Sequence, residues 1–227
     1  MTRKRPVVAI DGPAGAGKST AALRLAQRLG FVLVDTGALY RGIALSAIER
    51  GLDLDDGQAL GALARGLTLE FGCDEAGAPR LMIDGRDRAA DIRTPEVSMG
   101  ASLVSRHPSV RSALLALQRK LGVNGGVVLE GRDIGTVVFP DAEVKVFLTA
   151  DARTRAVRRV QDLRAQGLTA TVEETLAEVE ARDRRDSGRA VAPLKPAADA
   201  VHVDTSGLGL DDVVERLVTL VESSQQQ

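Results

Sequence analysis

Short apolar runs alternate with longer stretches of helical spacing along the chain, an order that predicts an α/β protein. Residues 7–10 are continuously apolar, as in a strand covered on both faces. A helix beginning near Gly17 carries Ala22, Leu25, Ala26 and Leu29 at three- and four-residue spacing, and Gly30 ends it. Residues 31–34 read as a second strand. The resulting βαβ unit predicts a right-handed crossover with its ligand crevice at the carboxyl ends of the strands. Residues 127–129, 144–148 and 200–203 predict three more strands, which completes a parallel five-stranded sheet. Helical spacing recurs over residues 94–106, 109–121, 152–166, 171–185 and 210–221, the flanking helices of that sheet.

The pattern changes between residues 52 and 90. A short polar helix over residues 53–65 precedes Leu67, Leu69 and Phe71 in alternation, turn residues over 72–79, and the apolar Leu81-Met82-Ile83 before Asp84-Gly85. These are hairpin signals, so residues 67–90 read as a small antiparallel subdomain inserted in a parallel chain. Cys73 falls there as a loop or packing residue. His107, beside Pro108, reads as a helix boundary, and residues 223–227 as a frayed tail.

The loop after the first strand carries the chemistry. Gly12, Pro13, Ala14, Gly15, Ala16, Gly17, Lys18 and Ser19 fit the GxxxxGK(S/T) pattern, between a strand and a helix as that pattern requires. Such a P-loop turns on its glycines so that successive N–H groups, with the helix dipole, converge on a phosphate. Lys18 reaches the terminal phosphates, the Ser19 hydroxyl holds Mg²⁺, and Thr20 continues the nucleotide contact. The competing reading is a glycine-rich turn with an incidental lysine. A second motif, Asp35-Thr36-Gly37-Ala38-Leu39-Tyr40-Arg41, follows the second strand. Gly37 opens a helix with Leu39, Ile43 and Ala47 on one face, Asp35 or Thr36 caps it, and Tyr40 and Arg41 lie beside the crevice. A third acidic and basic run, Glu130-Gly131-Arg132-Asp133, ends the third core strand.

Composition narrows the function. The 227 residues are 44% hydrophobic, enough for a substantial core, and no apolar run approaches the roughly 20 residues of a membrane span. The basic start Met1-Thr2-Arg3-Lys4-Arg5 runs straight into a strand without a cleavage site, so a cytoplasmic protein is expected. One cysteine and two histidines leave no internal disulfide and no zinc cluster. A net charge of −1 and 2% aromatic residues argue against a long nucleic acid as partner. Without a heptad pattern or an aromatic patch, a monomer is expected. Five of the 30 basic residues are lysines, so arginine carries most of the positive charge. Five arginines, Arg153, Arg155, Arg158, Arg159 and Arg164, occupy the polar face of the helix over 152–166. That helix and the next read either as a cover hinged at Gly167 over phosphates or as a solvated pair held by ion pairs with eight acidic residues between Asp151 and Asp186.

A P-loop alone binds a nucleoside triphosphate. The Asn-Lys-x-Asp run of a GTPase is absent, because the only asparagine, Asn124, precedes Gly125, and the chain has no room for the added module of a motor. A small kinase remains, which needs a second anionic substrate beside the γ-phosphate. Arg41, Arg132 and the late arginines supply that pocket. Each arginine–phosphate pair at about 4 Å contributes about 4 kcal/mol of Coulomb energy at an effective dielectric near 20, before desolvation.

In these motifs the chain resembles the bacterial cytidylate kinases, which phosphorylate CMP and dCMP from ATP. The likeness runs through Asp11-Gly12-Pro13 with the P-loop, residues 35–41, residues 92–97, residues 131–140 and residues 182–194. It implies a P-loop NTPase fold with an inserted monophosphate-binding subdomain and a short helical lid: one domain with a core (1–35, 104–151, 190–227), an insert (36–103) and a lid (152–189). It implies that Arg41 and Arg132 hold the CMP phosphate, with Thr36 and Tyr40 beside it. Ser102, Arg111, Asp133 and Arg189 would meet the cytosine, with Arg182 and Asp186 near the ribose. Lys18, Arg132, Asp133 and the lid residue Arg158 would serve catalysis, with Mg²⁺ on Ser19. An acceptor on Asp133 suits the exocyclic amine of cytosine, which uracil lacks. Glu130 departs from the Asp that the family places before Gly-Arg-Asp, leaving open whether it orients Mg²⁺ through water or only packs.

Overall fold

The computed structural model describes residues 3–74 and 79–225. In chain order these form β1 (Val7–Asp11), α1 (Lys18–Leu29), β2 (Val32–Asp35), α2 (Thr36–Glu49), α3 (Gly57–Gly66), β3 (Leu69–Cys73), β4 (Pro79–Ile83), β5 (Arg86–Asp87), α4 (Pro95–Val104), α5 (Pro108–Gly122), β6 (Val127–Gly131), β7 (Val144–Thr149), α6 (Ala152–Ala165), α7 (Val172–Ser187), β8 (Val201–Asp204) and α8 (Leu210–Ser224). The expected parallel sheet is present, five strands in the order β2-β6-β1-β7-β8. Its centre is β1, every residue of which is buried, paired in parallel with β6 on one side and β7 on the other. Strands β2 and β6 are added on one side of β1 and β7 and β8 on the other, so the strand order switches there and the loop after β1 opens at the point where such sheets bind ligands. α1 packs against α8, and the buried Val213, Leu217 and Val221 of α8 repeat at helical spacing.

By its internal contacts the chain divides into two compact units, one up to Val32 and from Asn124 onward, the other Leu33–Val123. In the second unit α2 packs on α4 and α3 on α5, around a core that includes Leu39, Ile43, Leu60, Leu81, Val110 and Leu114. By these contacts α5 groups with residues 33–123, burying Val110 and Leu114 there. The antiparallel piece has three strands rather than one hairpin, with Leu69 opposite Ile83 and Phe71 opposite Leu81, then β5 on β4. Part of the expected turn over 72–79 lies outside the described residues. The sheet meets α2 at Gly42, where a Cβ would stand 2.9 Å from Leu81 Cδ2 and 3.1 Å from Ile83 Cδ1.

Two further expectations change. The expected frayed tail over 223–227 does not begin at 223, since α8 runs to Ser224 and Ser224 Oγ bonds the Val221 carbonyl, while residues 226–227 lie outside the described residues. Residues 134–138, unassigned by periodicity, form one wide helical turn in which Val138 N and Phe139 N donate to carbonyls five residues earlier, a geometry frequent near functional sites. Among the described residues no helix is long and apolar enough to cross a membrane.

Gly12 starts the loop at φ 147°, and a Cβ there would overlap the Leu148 carbonyl oxygen of β7. Backbone strain and overpacking each cost about 1–3 kcal/mol, so Gly12→Ala is expected to lower stability by roughly 2–6 kcal/mol in urea unfolding. A wild-type midpoint would mean that β7 yields freely at this contact.

Candidate active site

The P-loop is assembled by its neighbours in the first unit. Asp11, at the last position of β1, is buried, and its two carboxylate oxygens accept the Ile134 and Gly135 amides, each at 2.8 Å. This pins the wide turn, and with it Asp133, to the strand that ends in the loop. Burial pushes the Asp11 carboxyl up to about 6, against the two amides and with Asp133 adding to the rise. Lys18, the first residue of α1, is also buried and donates to the Pro13 carbonyl at 2.7 Å across the loop. Burial draws its ammonium down to about 7; Arg132 and Arg182 push the same way, Glu130 and Asp11 the other. An anion entering here would add to the pull of Glu130 and Asp11 and favour the charged ammonium.

Beside the loop lies a cavity of ≈ 450 Å³, bounded by residues 15–21, by Arg158, Gln161 and Asp162 of α6, by Thr205, and by the apolar Leu208, Leu210 and Val213. Ser19 and Thr20 are exposed on it. Arg158 is held rather than loose: its Nη1 donates to Thr205 Oγ1 at 2.9 Å and its Nη2 to the Thr205 carbonyl at 2.7 Å. The Thr205 hydroxyl faces the Ala16 carbonyl of the loop at 3.2 Å and that of Thr149 at 3.1 Å. Thr205 was not singled out by sequence, although it follows the fifth strand at the sheet edge that carries the ligand crevice.

A second cluster surrounds Asp186 of α7, whose side chain is 1% exposed. Arg132 Nε donates to it at 3.1 Å, Arg189 bonds its other oxygen, and Arg182 Nε stands 3.9 Å away. Burial opposes ionisation of Asp186, but Arg132, Arg189 and Arg182 outweigh it and hold the carboxyl below its usual range. Glu130 and Asp133, adjacent in the chain to Gly131-Arg132, are buried as well. The structure thus brings Lys18, Arg132, Asp133, Arg158, Arg182, Asp186 and Arg189 into one compact unit. The expected polar face of α6 is incomplete, because Arg155 points inward and is buried.

Thr36, Tyr40, Arg41, Ser102 and Arg111 belong to the other unit. Asp35 caps α2, accepting from Ala38 N at 3.1 Å, and its second oxygen meets Arg41 Nη2 at 2.5 Å. Arg41 folds back over Gly37, and its buried Nε has no hydrogen-bond partner among the described residues. The Arg111 guanidinium lies 5.5 Å from the centre of the Tyr40 ring, within cation–π range, and donates to the Ser105 carbonyl at 3.3 Å. Ser105 Oγ in turn donates to the Ser102 carbonyl at 3.0 Å.

A family model described as Cytidylate kinase matches residues 8–223 of this chain. A cytidylate kinase of Syntrophotalea carbinolica is 51% identical over 220 residues, 97% of this chain and 93% of that protein. One from Pelotomaculum thermopropionicum is 48% identical over 222 residues, 98% of each chain. An uncharacterized protein from Eubacterium ventriosum shares the fold at 12% identity, with a TM-score of 0.50 over 96% of this chain and 99% of the other.

Asp186→Asn removes the carboxylate that three guanidiniums share and is expected to cost about 3–5 kcal/mol at pH 7. A carboxyl held low in the folded state stabilises above its unfolded value and loses that contribution as pH falls through the folded one. The deficit should accordingly shrink below about pH 4. Unfolding midpoints at neutral and acid pH measure it, and a deficit independent of pH would assign it to packing.

Proposed function

The chain belongs to the cytidylate kinase family, and on that premise we propose that it transfers the γ-phosphoryl group of ATP to CMP or dCMP, giving ADP with CDP or dCDP. The observation that carries this reading is the buried Lys18 at the start of α1, bonded across the P-loop to the Pro13 carbonyl, in one unit with the guanidiniums gathered around Asp186. Such a site stabilises anions and has no use for a nucleophile of its own. Phosphoryl transfer asks a protein for positioning and charge stabilisation, which these groups supply.

The triphosphate sits on the amides of Gly12, Pro13, Ala14, Gly15, Ala16, Gly17, Lys18, Ser19 and Thr20, and the apolar wall of Leu208, Leu210 and Val213 suits the donor's base. The Ser19 hydroxyl, exposed on the cavity, would hold Mg²⁺, an ion that takes few protein ligands. When bound it would neutralise charge on the donor's phosphates. Arg158, fixed by Thr205, stands over the loop to meet the charge that develops on the transferring group.

On the acceptor side, Arg41 and Arg132 take the CMP phosphate, with Thr36 and Tyr40 beside it. Asp133, Ser102, Arg111 and Arg189 read the cytosine, and Arg182 and Asp186 the sugar. Residues 33–123 serve as the monophosphate-binding part and 152–189 as the lid. The enzyme acts as a cytoplasmic monomer on small nucleotides.

A coupled assay of ADP release with CMP, dCMP, UMP, AMP and GMP as acceptors tests the reading, which predicts stimulation by CMP and dCMP above the others. Lys18→Ala should lower kcat by about 10²–10³-fold, as loss of a group stabilising developing charge does. Arg132→Ala should raise the acceptor KM and lower kcat together. Asp133→Ala should cut discrimination between CMP and UMP by roughly 5- to 150-fold, the equivalent of about 1–3 kcal/mol per base contact. Equal losses on both acceptors would make Asp133 structural.

A further inference from the structure

Arg155 has no role in the reading above, yet it is among the most thoroughly bonded side chains of the first unit. Its side chain is 6% exposed. Nε donates to the Ala150 carbonyl after β7 at 2.9 Å, and Nη1 donates to the Ala14 carbonyl inside the P-loop at 3.1 Å. The two ends of the guanidinium also grip Asp183 of α7, Nη1 to Oδ1 at 3.1 Å and Nη2 to Oδ2 at 2.5 Å. The loop is packed on the same residue, since a Cβ at Gly15 would lie 3.0 Å from Arg155 Cβ and 3.1 Å from its carbonyl oxygen. Asp183 directly follows Arg182 and lies three residues before Asp186, so it sits within the turn of α7 that presents the acceptor-side guanidiniums.

A planar guanidinium cannot tilt to follow one partner without losing geometry to the others. A shift of the Ala14–Gly15 peptide as phosphate is drawn onto the loop amides would reach Arg155, and the two-point grip on Asp183 would pass it to α7. We propose that Arg155 is a positioning residue which, through Asp183, couples occupancy of the P-loop to the arginine cluster of α7, so that donor and acceptor bind cooperatively. The proposal rests on the reading of the chain as a CMP kinase.

Linkage makes the coupling measurable from either ligand. Calorimetry of CMP binding, with and without a saturating non-hydrolysable ATP analogue and Mg²⁺, should show wild-type protein binding CMP at least about 5-fold tighter when the analogue is present, the lower end of ordinary allosteric coupling. In Arg155→Lys, a point charge that cannot serve Ala14, Ala150 and Asp183 together, the factor should fall to within about 2-fold of unity. Asp183→Asn, which removes the charge from the fork at a partly exposed position, should do the same. Asp183→Glu, which keeps the carboxylate, should restore part of the factor, and the double variant should lose no more than either single one. Variants that melt earlier but keep the wild-type factor would reduce Arg155 to a structural tie and overturn the proposal. Wild-type protein that phosphorylates CMP without any coupling would overturn it equally. Wild-type protein that neither binds nor phosphorylates CMP would instead remove the kinase reading, and this inference with it.

Discussion

Like charges packed together are the constraint that the first unit is built to satisfy. Lys18, Arg132, Arg182 and Arg189 converge with little solvent to screen them, and a buried Asp186 offsets three of these cations while Glu130 and Asp11 act on the fourth. One carboxylate is thus shared among three guanidiniums. Burial draws the ammonium of Lys18 down to about 7, with Arg132 and Arg182 pushing the same way against Glu130 and Asp11. An anion placed beside Lys18 would favour its charged form. Removing the carboxylate would leave repulsion with no remedy, and replacing the arginines by apolar groups would leave Asp186 buried and alone.

Holding such a cluster requires a rigid floor, and the sheet supplies it through close contacts rather than long side chains. β1 is buried along its whole length, and Gly12 meets the Leu148 carbonyl so closely that only glycine passes. Asp11 ties the wide turn at 134–138 to the same strand end by two amides, at the expense of an ionised carboxylate that burial disfavours. Thr205 performs the matching task on the other side, between the Ala16 carbonyl and Arg158. The loop is thus fixed at its start by the Asp11 carboxylate and beyond its middle by the Thr205 hydroxyl.

Much of this was legible in the chain. The apolar run before Gly12, the P-loop spacing and the strands with charged ends at Asp35 and Asp133 fixed the sheet and its functional edge, because local periodicity and turn chemistry dictate those features. What escaped depends on tertiary direction. Arg155 and Arg158 lie three apart in one arginine-rich helix, and nothing in that spacing says which turns inward; burial against Gly15 and the fork on Asp183 decide it. Asp11 and Thr205 act through bonds spanning more than a hundred residues of sequence, to Ile134 and to Ala16. Helical spacing likewise does not say which neighbours α5 packs on; its contacts with α3 group it with residues 33–123.

The same arrangement appears separately in each unit: an arginine expected to bind phosphate is held by a carboxylate, Arg41 by Asp35 and Arg132 by Asp186. A carboxylate carries one charge and a phosphate monoester close to two, so at equal distance the phosphate attracts a guanidinium about twice as strongly. The internal partner is then strong enough to keep the arginine oriented and weak enough to be displaced or shared. Arg41 carries this further, since Asp35 takes one end of the fork while the buried Nε stays without a partner among the described residues. A second oxygen-rich group can engage the free donor without breaking the first pair. On this view the carboxylates contribute preorganisation: the arginines lose their conformational freedom in the folded chain, before substrate arrives, and less entropy remains to be lost on binding.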